Sequence, residues 1–350
     1  MRTPDHWHAP ASATARLLLP LSGLYALAGR LRARWTVPHR TSVPVICLGN
    51  VTAGGTGKTP LAITLSAMLR EGGHAPFFLT RGYGGRLAGP VRVDARSMTA
   101  QDVGDEPMLL AAAAPTIVAR DRRAGAEIAV RAGASVIVMD DGYQNPTLHK
   151  DMGILVADAG GGLGNGRLIP AGPLREAPET AMARAHALVV IGDGPGADDL
   201  VRIAGLRSVP VFRASLAPVG DVNHIRRKRL LAFAGIGRPE KFFESLRAAG
   251  GDLRDARAFP DHHPYTEKDA TALLEAARAA ALELVTTEKD MIRLAALRGK
   301  AVAALRAHTL TFRIEVRIDD ADAIGRLIEG RLREALAAGV YRAFGGASRR

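Results

Sequence analysis

The stretch VPVICLGNVTAGGTGKTPLAITLSAML, residues 43–69, reads as a buried strand, a glycine-rich turn and a helix. Val43, Val45, Ile46 and Leu48 form a short apolar run rich in β-branched residues. Gly54, Gly55 and Gly57 open a loop in which backbone N–H groups can converge on one centre. Lys58 and Thr59 then start a helix, whose N-terminus attracts anions. The segment Thr52, Ala53, Gly54, Gly55, Thr56, Gly57, Lys58, Thr59 is thus a phosphate cradle of the P-loop kind, with Lys58 for the β- and γ-phosphates and Thr59 for Mg²⁺. The strict pattern wants glycine at position 52, where this chain carries threonine.

Outward from the cradle, apolar strands alternate with helices. Strands are expected at 43–49, 75–80, 115–119, 135–140, 153–157 and 187–192, and helices at 58–71, 106–113, 122–132 and 178–185. Such alternation predicts an α/β fold, a mostly parallel sheet with helices on both faces. Ligands of such sheets gather at the carboxyl ends of strands. The unusual polar clusters of this chain sit there, after 49, 79 and 139.

At 350 residues the chain has room for two domains. Its 47% apolar content is that of a globular protein. The net charge of +12 points to an anionic partner: nucleic acid, an anionic membrane surface or a phosphorylated substrate. The basic residues are dispersed, aromatics are only 5%, and no nucleic-acid-binding module is visible, so a nucleic-acid-binding ATPase ranks low and no nucleic-acid partner is expected. One cysteine, Cys47, rules out a disulfide within the chain and a cysteine-rich metal site.

Residues 1–40 differ from the rest. Leu17, Leu18, Leu19, Leu21, Leu24, Leu27 and Leu31 form an apolar stretch interrupted by Pro20, flanked by Arg16, Arg30, Arg32, Arg34 and Arg40 and followed by Trp35. It is shorter than the roughly 20 residues a spanning helix needs. A basic, leucine-rich helix ending in tryptophan fits one lying in a membrane interface, or one packed on the neighbouring domain.

Near 208–229 the character changes to an extended, proline-containing connector ending in Arg226, Arg227, Lys228 and Arg229. A second unit opens with LLAFAGIGRPEKFFESL, residues 230–246, again strand, glycine turn and helix. Helix 266–281, strand 282–287, helix 290–297, strand 309–318 and an acid-capped helix over 319–338 complete it.

Several clusters carry chemistry. SVIVMDDGYQN, 135–145, ends an apolar run in Asp140 and Asp141, where a P-loop sheet places its second Mg²⁺-holding group. In TRGYGGR, 80–86, Arg81 can meet a phosphate. In GDEP, 104–107, Asp105 and Glu106 can cap a helix, or one can take the proton of an attacking hydroxyl. GNGRLIPAGPLRE, 164–176, is a long loop offering Arg175 and Glu176 to nucleotide or Mg²⁺. FPDHHPY, 259–265, lacks the H-x-x-x-H spacing of a metal site and better suits a histidine pairing with a carboxylate across a cleft. TTEKD, 286–290, follows a strand and can line the same cleft.

Together these motifs resemble one family, the tetraacyldisaccharide 4'-kinases, the lipid A 4'-kinases of Gram-negative bacteria. The resemblance is carried by GNVTAGGTGKTP at 49–60, TRGYGG at 80–85, GDEP at 104–107, DDGYQ at 140–144, GPLRE at 172–176, FPDHH at 259–263 and TEKD at 287–290, in the family's order. Thr52 matches the family's own form of the loop. The resemblance implies transfer of the ATP γ-phosphate to the 4'-hydroxyl of a tetraacylated glucosamine disaccharide 1-phosphate, giving lipid IVA, by a peripheral protein on the cytoplasmic face of the inner membrane. It implies ATP and Mg²⁺ as cofactors, and a lipid substrate and a membrane surface as partners. It also implies two α/β domains joined by an extended two-stranded linker: residues 1–40 as a basic interface helix, 41–215 as the P-loop core, 216–229 as linker and 230–340 as a closing C-terminal domain. By the same resemblance Asp105 is the base and His262 tunes or orients it. Asp140 and Asp141 serve Mg²⁺ or nucleotide with Thr59, and Arg175 and Glu176 lie in the same site. The family usually has histidine after DDG-[FLY]-Q, where this chain has Asn145, which cannot titrate. The competing reading, a P-loop GTPase switch or metallochaperone, needs an N-K-x-D segment; TEKD has its Lys and Asp adjacent, in the wrong register.

Overall fold

The computed structural model describes residues 4–7, 9, 12–220 and 222–337. Of the segments expected from sequence, positions 1–3, 8, 10 and 11 of the 1–40 region, 221 of the linker and 338–340 of the last unit lie outside the described residues. Their strands are β1 (Val45–Gly49), β2 (Pro76–Thr80), β3 (Val91–Arg92), β4 (Thr116–Val118), β5 (Val136–Asp140), β6 (Met152–Asp158), β7 (Ala187–Ile191), β8 (Val211–Pro218), β9 (Arg229–Ala234), β10 (Asp252–Ala258), β11 (Glu283–Thr287), β12 (Thr309–Phe312) and β13 (Ile314–Ile318).

The first sheet runs β13-β8-β7-β6-β1-β5-β2-β4-β3. It is parallel except at its two margins, where β3 opposes β4 and β13 opposes β8. Side chains along β1 alternate between its faces. Val45 and Cys47 enter the core under helices Arg122–Arg131 and Asp198–Leu206, with Ala126, Ala129, Leu200 and Ile203. Ile46 and Leu48 enter the opposite core with Leu61, Leu65 and Leu69 of helix Lys58–Glu71 and Leu110 of helix Asp105–Ala113. Each fully buried aliphatic stabilises the layer by about 1.5–3 kcal/mol. Helix Lys58–Glu71, which carries the cradle's lysine and threonine, is therefore anchored against rocking. β1 lies between β5 and β6, and the polar clusters open at the carboxyl ends of all three.

The second sheet, β10-β9-β11-β12, is parallel throughout. Phe242, Phe243 and Leu246 cover one face, and Leu273, Leu294, Val302 and Leu305 the other.

Two expectations change here. The run 309–318 is two strands in two sheets: Phe312 pairs with Thr287, whereas Ile314 pairs with Pro218, and Arg313 makes the crossing. The unit expected at 230–340 is accordingly divided. β13 and helix Ala321–Ala337 return to the first domain, because Ile324, Ile328 and Leu332 complete the apolar surface over Leu61 and Leu65. The chain passes between the two sheets on two paired strands of the first sheet, β8 leaving and β13 coming back, rather than on a segment confined to 216–229.

The N-terminal helix Leu19–Trp35 packs only lightly: Ser22 is its one buried residue. The Ser22 hydroxyl donates to Leu168 O at 2.8 Å and accepts from Ala171 N at 3.1 Å. Among the described residues no helix is long and apolar enough to cross a membrane.

Candidate active site

The cradle is held from two sides. Gly57 caps helix Lys58–Glu71 at φ 83°, in the left-handed region, and a Cβ there would stand 2.8 Å from Ile191 Cδ1. Thr52 is not in such a conformation. It forms an antiparallel bridge with Leu174, flanked by bonds from Ala53 N to Pro173 O and from Arg175 N to Val51 O, each 2.7 Å. The loop 164–176 thus continues the cradle's backbone as a short ribbon, and a side chain at 52 fits where a glycine would gain nothing.

At the end of β5 the two aspartates divide their work. Asp140 is buried, and Thr59 Oγ1 donates to its Oδ2 at 3.0 Å. Its Oδ1 is buried without a partner. Burial, reinforced by Glu106, pushes the Asp140 carboxyl up to about 7, against the pull of Lys58. A buried oxygen left without a donor beside a threonine hydroxyl suits a hard cation, whose charge would favour the ionised carboxylate. Asp141 adopts φ 53°, a conformation that costs a non-glycine residue about 1–2 kcal/mol. The strained turn aims its Oδ1 at Lys58 Nζ, 3.5 Å away, and at Arg175 Nη1, 2.8 Å away. Burial opposes its charge, but Lys58 and Arg175 hold its carboxyl below the ordinary value.

Asp105 opens helix Asp105–Ala113 after Gly104, whose φ is 97°. A Cβ at Gly104 would come 2.3 Å from Tyr83 O, so the TRGYGG and GDEP segments meet only because glycine stands there. Asp105 is 4% exposed, and its Oδ2 faces three donors from the second domain. His262 Nδ1 is at 3.3 Å, Arg293 Nε at 2.8 Å, and Arg293 Nη2 closes the fork. Burial pushes the carboxyl up, yet His262, Lys289 and Arg293 together hold it well below the usual carboxylate range. His262 is itself at φ 56° and packs edge-on against Tyr83, with ring centroids 5.3 Å apart. Glu106 pairs with Lys289 Nζ at 2.7 Å.

A cavity of about 1090 Å³ is lined by Gly54–Thr59, Tyr83, Glu106, Asp141, Arg175, Asp261, His262 and Lys289. It extends along apolar Ile63, Met68, Leu109, Leu216, Phe312 and Val316. A second cavity of about 630 Å³ lies on the other side of the cradle, against Val51–Thr56, Asp158, Gly160–Gly164 and Ile236–Glu240.

Not every residue singled out from sequence lines these cavities. Glu176 accepts from Gln144 Nε2 at 3.0 Å, and Arg184 Nη2 donates to both of its carboxylate oxygens, at 2.9 and 2.8 Å. Gln144 also donates to Asn50 O, so Glu176 steadies the strand entering the cradle. Arg81 is exposed at the end of β2 and lines neither cavity. Asn145 Oδ1 accepts from Thr147 N and Oγ1 at 2.8 and 2.7 Å, closing a turn that needs no titrating group. Asp290 is a buried hub bonded by Gly235 N, Tyr265, Thr287 and Arg293, with no edge free to read a base.

Sequence reasoning missed Arg293, Asp158 and Arg238. Arg293 is nearly buried and bonds Asp105, Asp290 and Gly235 O at once. Its one sequence signal is its position three residues after Asp290 on a helix.

Comparison with known proteins identifies relatives of the chain. The family profile described as tetraacyldisaccharide-1-P 4'-kinase matches residues 14–333. A relative named tetraacyldisaccharide 4'-kinase from Methylobacterium nodulans is 52% identical over 311 residues, 88% of this chain and 92% of the relative. One of the same name from Parvibaculum lavamentivorans is 52% identical over 299 residues, 84% and 87% of the two chains. The crystal structure of "apo" form LpxK from Aquifex aeolicus in complex with ATP superposes with a TM-score of 0.71 at 24% identity, covering 91% of this chain and 99% of that one, which establishes a common fold.

Proposed function

The chain belongs to the tetraacyldisaccharide-1-P 4'-kinase family, and from that premise we propose how its own residues perform the transfer. It is an ATP-dependent kinase of a lipid A precursor, phosphorylating the 4'-hydroxyl of a tetraacyldisaccharide 1-phosphate. The observation that carries the residue assignment is the facing of two groups across one cavity: Lys58, Thr59 and Asp141 from the first domain, with Asp140 bonded behind Thr59, and His262, which rests on the buried Asp105.

The N–H groups of Gly54–Thr59 and the Lys58 ammonium hold the phosphate chain, and Arg175 adds a second cation beside Asp141. Thr59 and Asp140 fit Mg²⁺, Asp140 Oδ1 being the buried oxygen that wants a partner. Held by these two residues, the ion would supply charge neutralisation for the phosphates. The acceptor's 4'-oxygen forms its bond to the γ-phosphorus, the bond to the β–γ bridging oxygen breaks, and ADP leaves. The hydroxyl proton passes to the Asp105–His262 pair. A carboxylate held as low as Asp105 is a weak base alone, so it takes the proton together with His262, whose Nδ1 stands 3.3 Å from its Oδ2 and orients it.

We place the enzyme peripherally, on the cytoplasmic face of the inner membrane. In support, Leu24 is 63% and Trp35 75% exposed on a helix that also carries Arg30, Arg32 and Arg34. The apolar lining of the large cavity suits acyl chains, and the excess positive charge suits an acceptor that already bears a phosphate.

The test is radiolabelled ATP with tetraacyldisaccharide 1-phosphate in detergent micelles, wild type beside Asp105→Ala. Labelled bisphosphorylated lipid forms with wild type, and turnover falls at least ~100-fold in the variant while ATP still binds. Unlabelled acceptor with wild type, or undiminished turnover in Asp105→Ala, refutes the assignment.

A further inference from the structure

One carboxylate at the domain boundary answers two cations. Asp158 ends β6, beside the cradle's strand, and its side chain is only 6% exposed. Arg238 Nη1 pairs with its Oδ2 and Lys241 Nζ with its Oδ1. Both cations come from the second domain, Arg238 as the cap of helix Pro239–Ala248 and Lys241 from its first turn. The pairing is spatially demanding. A Cβ at Gly161 would come 2.9 Å from Arg238 Nη1, and one at Gly160 would come 3.3 Å from Nη2, so the glycines after β6 make room for the guanidinium.

The cluster also abuts the cradle. A Cβ at Gly237 would lie 3.9 Å from Gly55 N. Arg238 lines both cavities, the large one with Gly54–Thr59 and the smaller one with Val51–Thr56, and Lys241 lines the large one. Within the cluster two cations share one carboxylate, next to backbone N–H groups already turned toward an anion, and Asp261 Oδ2, 3.6 Å from a Cβ at Gly237, is a further carboxylate beside them. A guanidinium offers five N–H donors in a planar fork and can serve a carboxylate with one edge and a phosphate with the other.

We propose that Arg238 is a ligand of the ATP phosphate chain, brought to the P-loop by the second domain, with Asp158 as the carboxylate that competes for it. Lys241 remains the partner of Asp158 when Arg238 turns to phosphate. The two domains thus both grip the donor, and ATP binding reports on their approach. This rests on the reading that ATP occupies the cradle, so the experiment separates the two.

Equilibrium binding of ATP to full-length protein is measured for wild type, Lys58→Ala, Arg238→Ala, Arg238→Lys and Asp158→Asn, with kcat and KM for ATP in the micelle assay. Arg238→Ala should weaken ATP binding roughly tenfold, the size of one charge-assisted hydrogen bond. Arg238→Lys should recover part of that loss. Asp158→Asn, which removes the competing charge, should bind ATP at least as tightly as wild type. A merely structural clasp would make Asp158→Asn and Arg238→Ala weaken ATP equally, and that result overturns the proposal. So does an Arg238→Ala protein that binds like wild type while Lys58→Ala has lost affinity. If Lys58→Ala also binds like wild type, the cradle reading itself has failed, and the proposal with it.

Discussion

Arg293 and Asp105, 188 residues apart in sequence, meet at one carboxylate oxygen, with Arg293 Nε 2.8 Å from Asp105 Oδ2. The same oxygen faces His262 Nδ1 at 3.3 Å. Arg293 is in turn fixed to Asp290 at 2.9 Å, and Asp290 to the backbone of Gly235. The second domain therefore fastens itself to the first through one member of the pair proposed to take the proton.

Removing one partner of a buried ion pair leaves the other charge uncompensated. Arg293→Met should cost about 3–5 kcal/mol of stability, read by denaturant unfolding, and should lower kcat more than it raises KM for ATP. Arg293→Lys restores charge but not the fork, so it should recover only part of both. An Arg293→Met enzyme as stable and as fast as wild type would show that the pair has no role.

The depressed Asp105 carboxyl gives a pH signature with a definite sign. Its folded value lies below 3.8, the value it regains on unfolding. The unfolded chain therefore takes up that proton first as pH falls. The contribution of Asp105 is present above 3.8 and is lost as pH drops through the lower folded value. The gap in Tm between wild type and Asp105→Asn should be wide at about pH 7 and should narrow below about pH 4. A gap that does not change with pH contradicts the assignment.

Thr52 occupies the place of a P-loop glycine, and restoring glycine should not help. Thr52 is extended and bridged to Leu174. Thr52→Gly frees the unfolded backbone and should cost about 0.5–1 kcal/mol. It should leave ATP affinity equal or slightly weaker in a titration, and tighter binding would show that the threonine is a compromise.

The exposed face of helix Leu19–Trp35 is testable without touching the site. Leu24→Glu with Trp35→Glu should reduce sedimentation with anionic phospholipid vesicles roughly tenfold, while turnover on a micellar acceptor persists. Unchanged vesicle binding would remove the helix from membrane association.

Much of this was legible in the chain. The alternation of Val45 and Cys47 with Ile46 and Leu48, followed by glycines and Lys58–Thr59, predicts strand, cradle and helix as they stand. The pairing of Asp105 with His262 was legible only as an ordered set of motifs, since no periodicity links positions so far apart. Arg293 was hidden because an arginine on a helix ordinarily reads as solvated. Strand β10 is hard to read because DLRDARA is charge-rich and its alternation breaks at Arg254–Asp255, where the register shifts, and the structure places it at an edge. β13 was hidden because sequence continuity said nothing of the crossing at Arg313.

That crossing makes the second domain a guest within the first. Pro218 and Ile314 stand opposite each other in a ladder, so the chain leaves and re-enters its host at one doorway. A tight turn could join the two strands there as a hairpin and excise everything between without severing the nine-stranded sheet. Such a host would keep Lys58, Thr59, Asp140 and Asp141 but lose His262, Arg293 and Arg238. Holding a nucleotide and spending it are thus separable along the chain, and the second capacity could be added to, or taken from, a fold that already had the first.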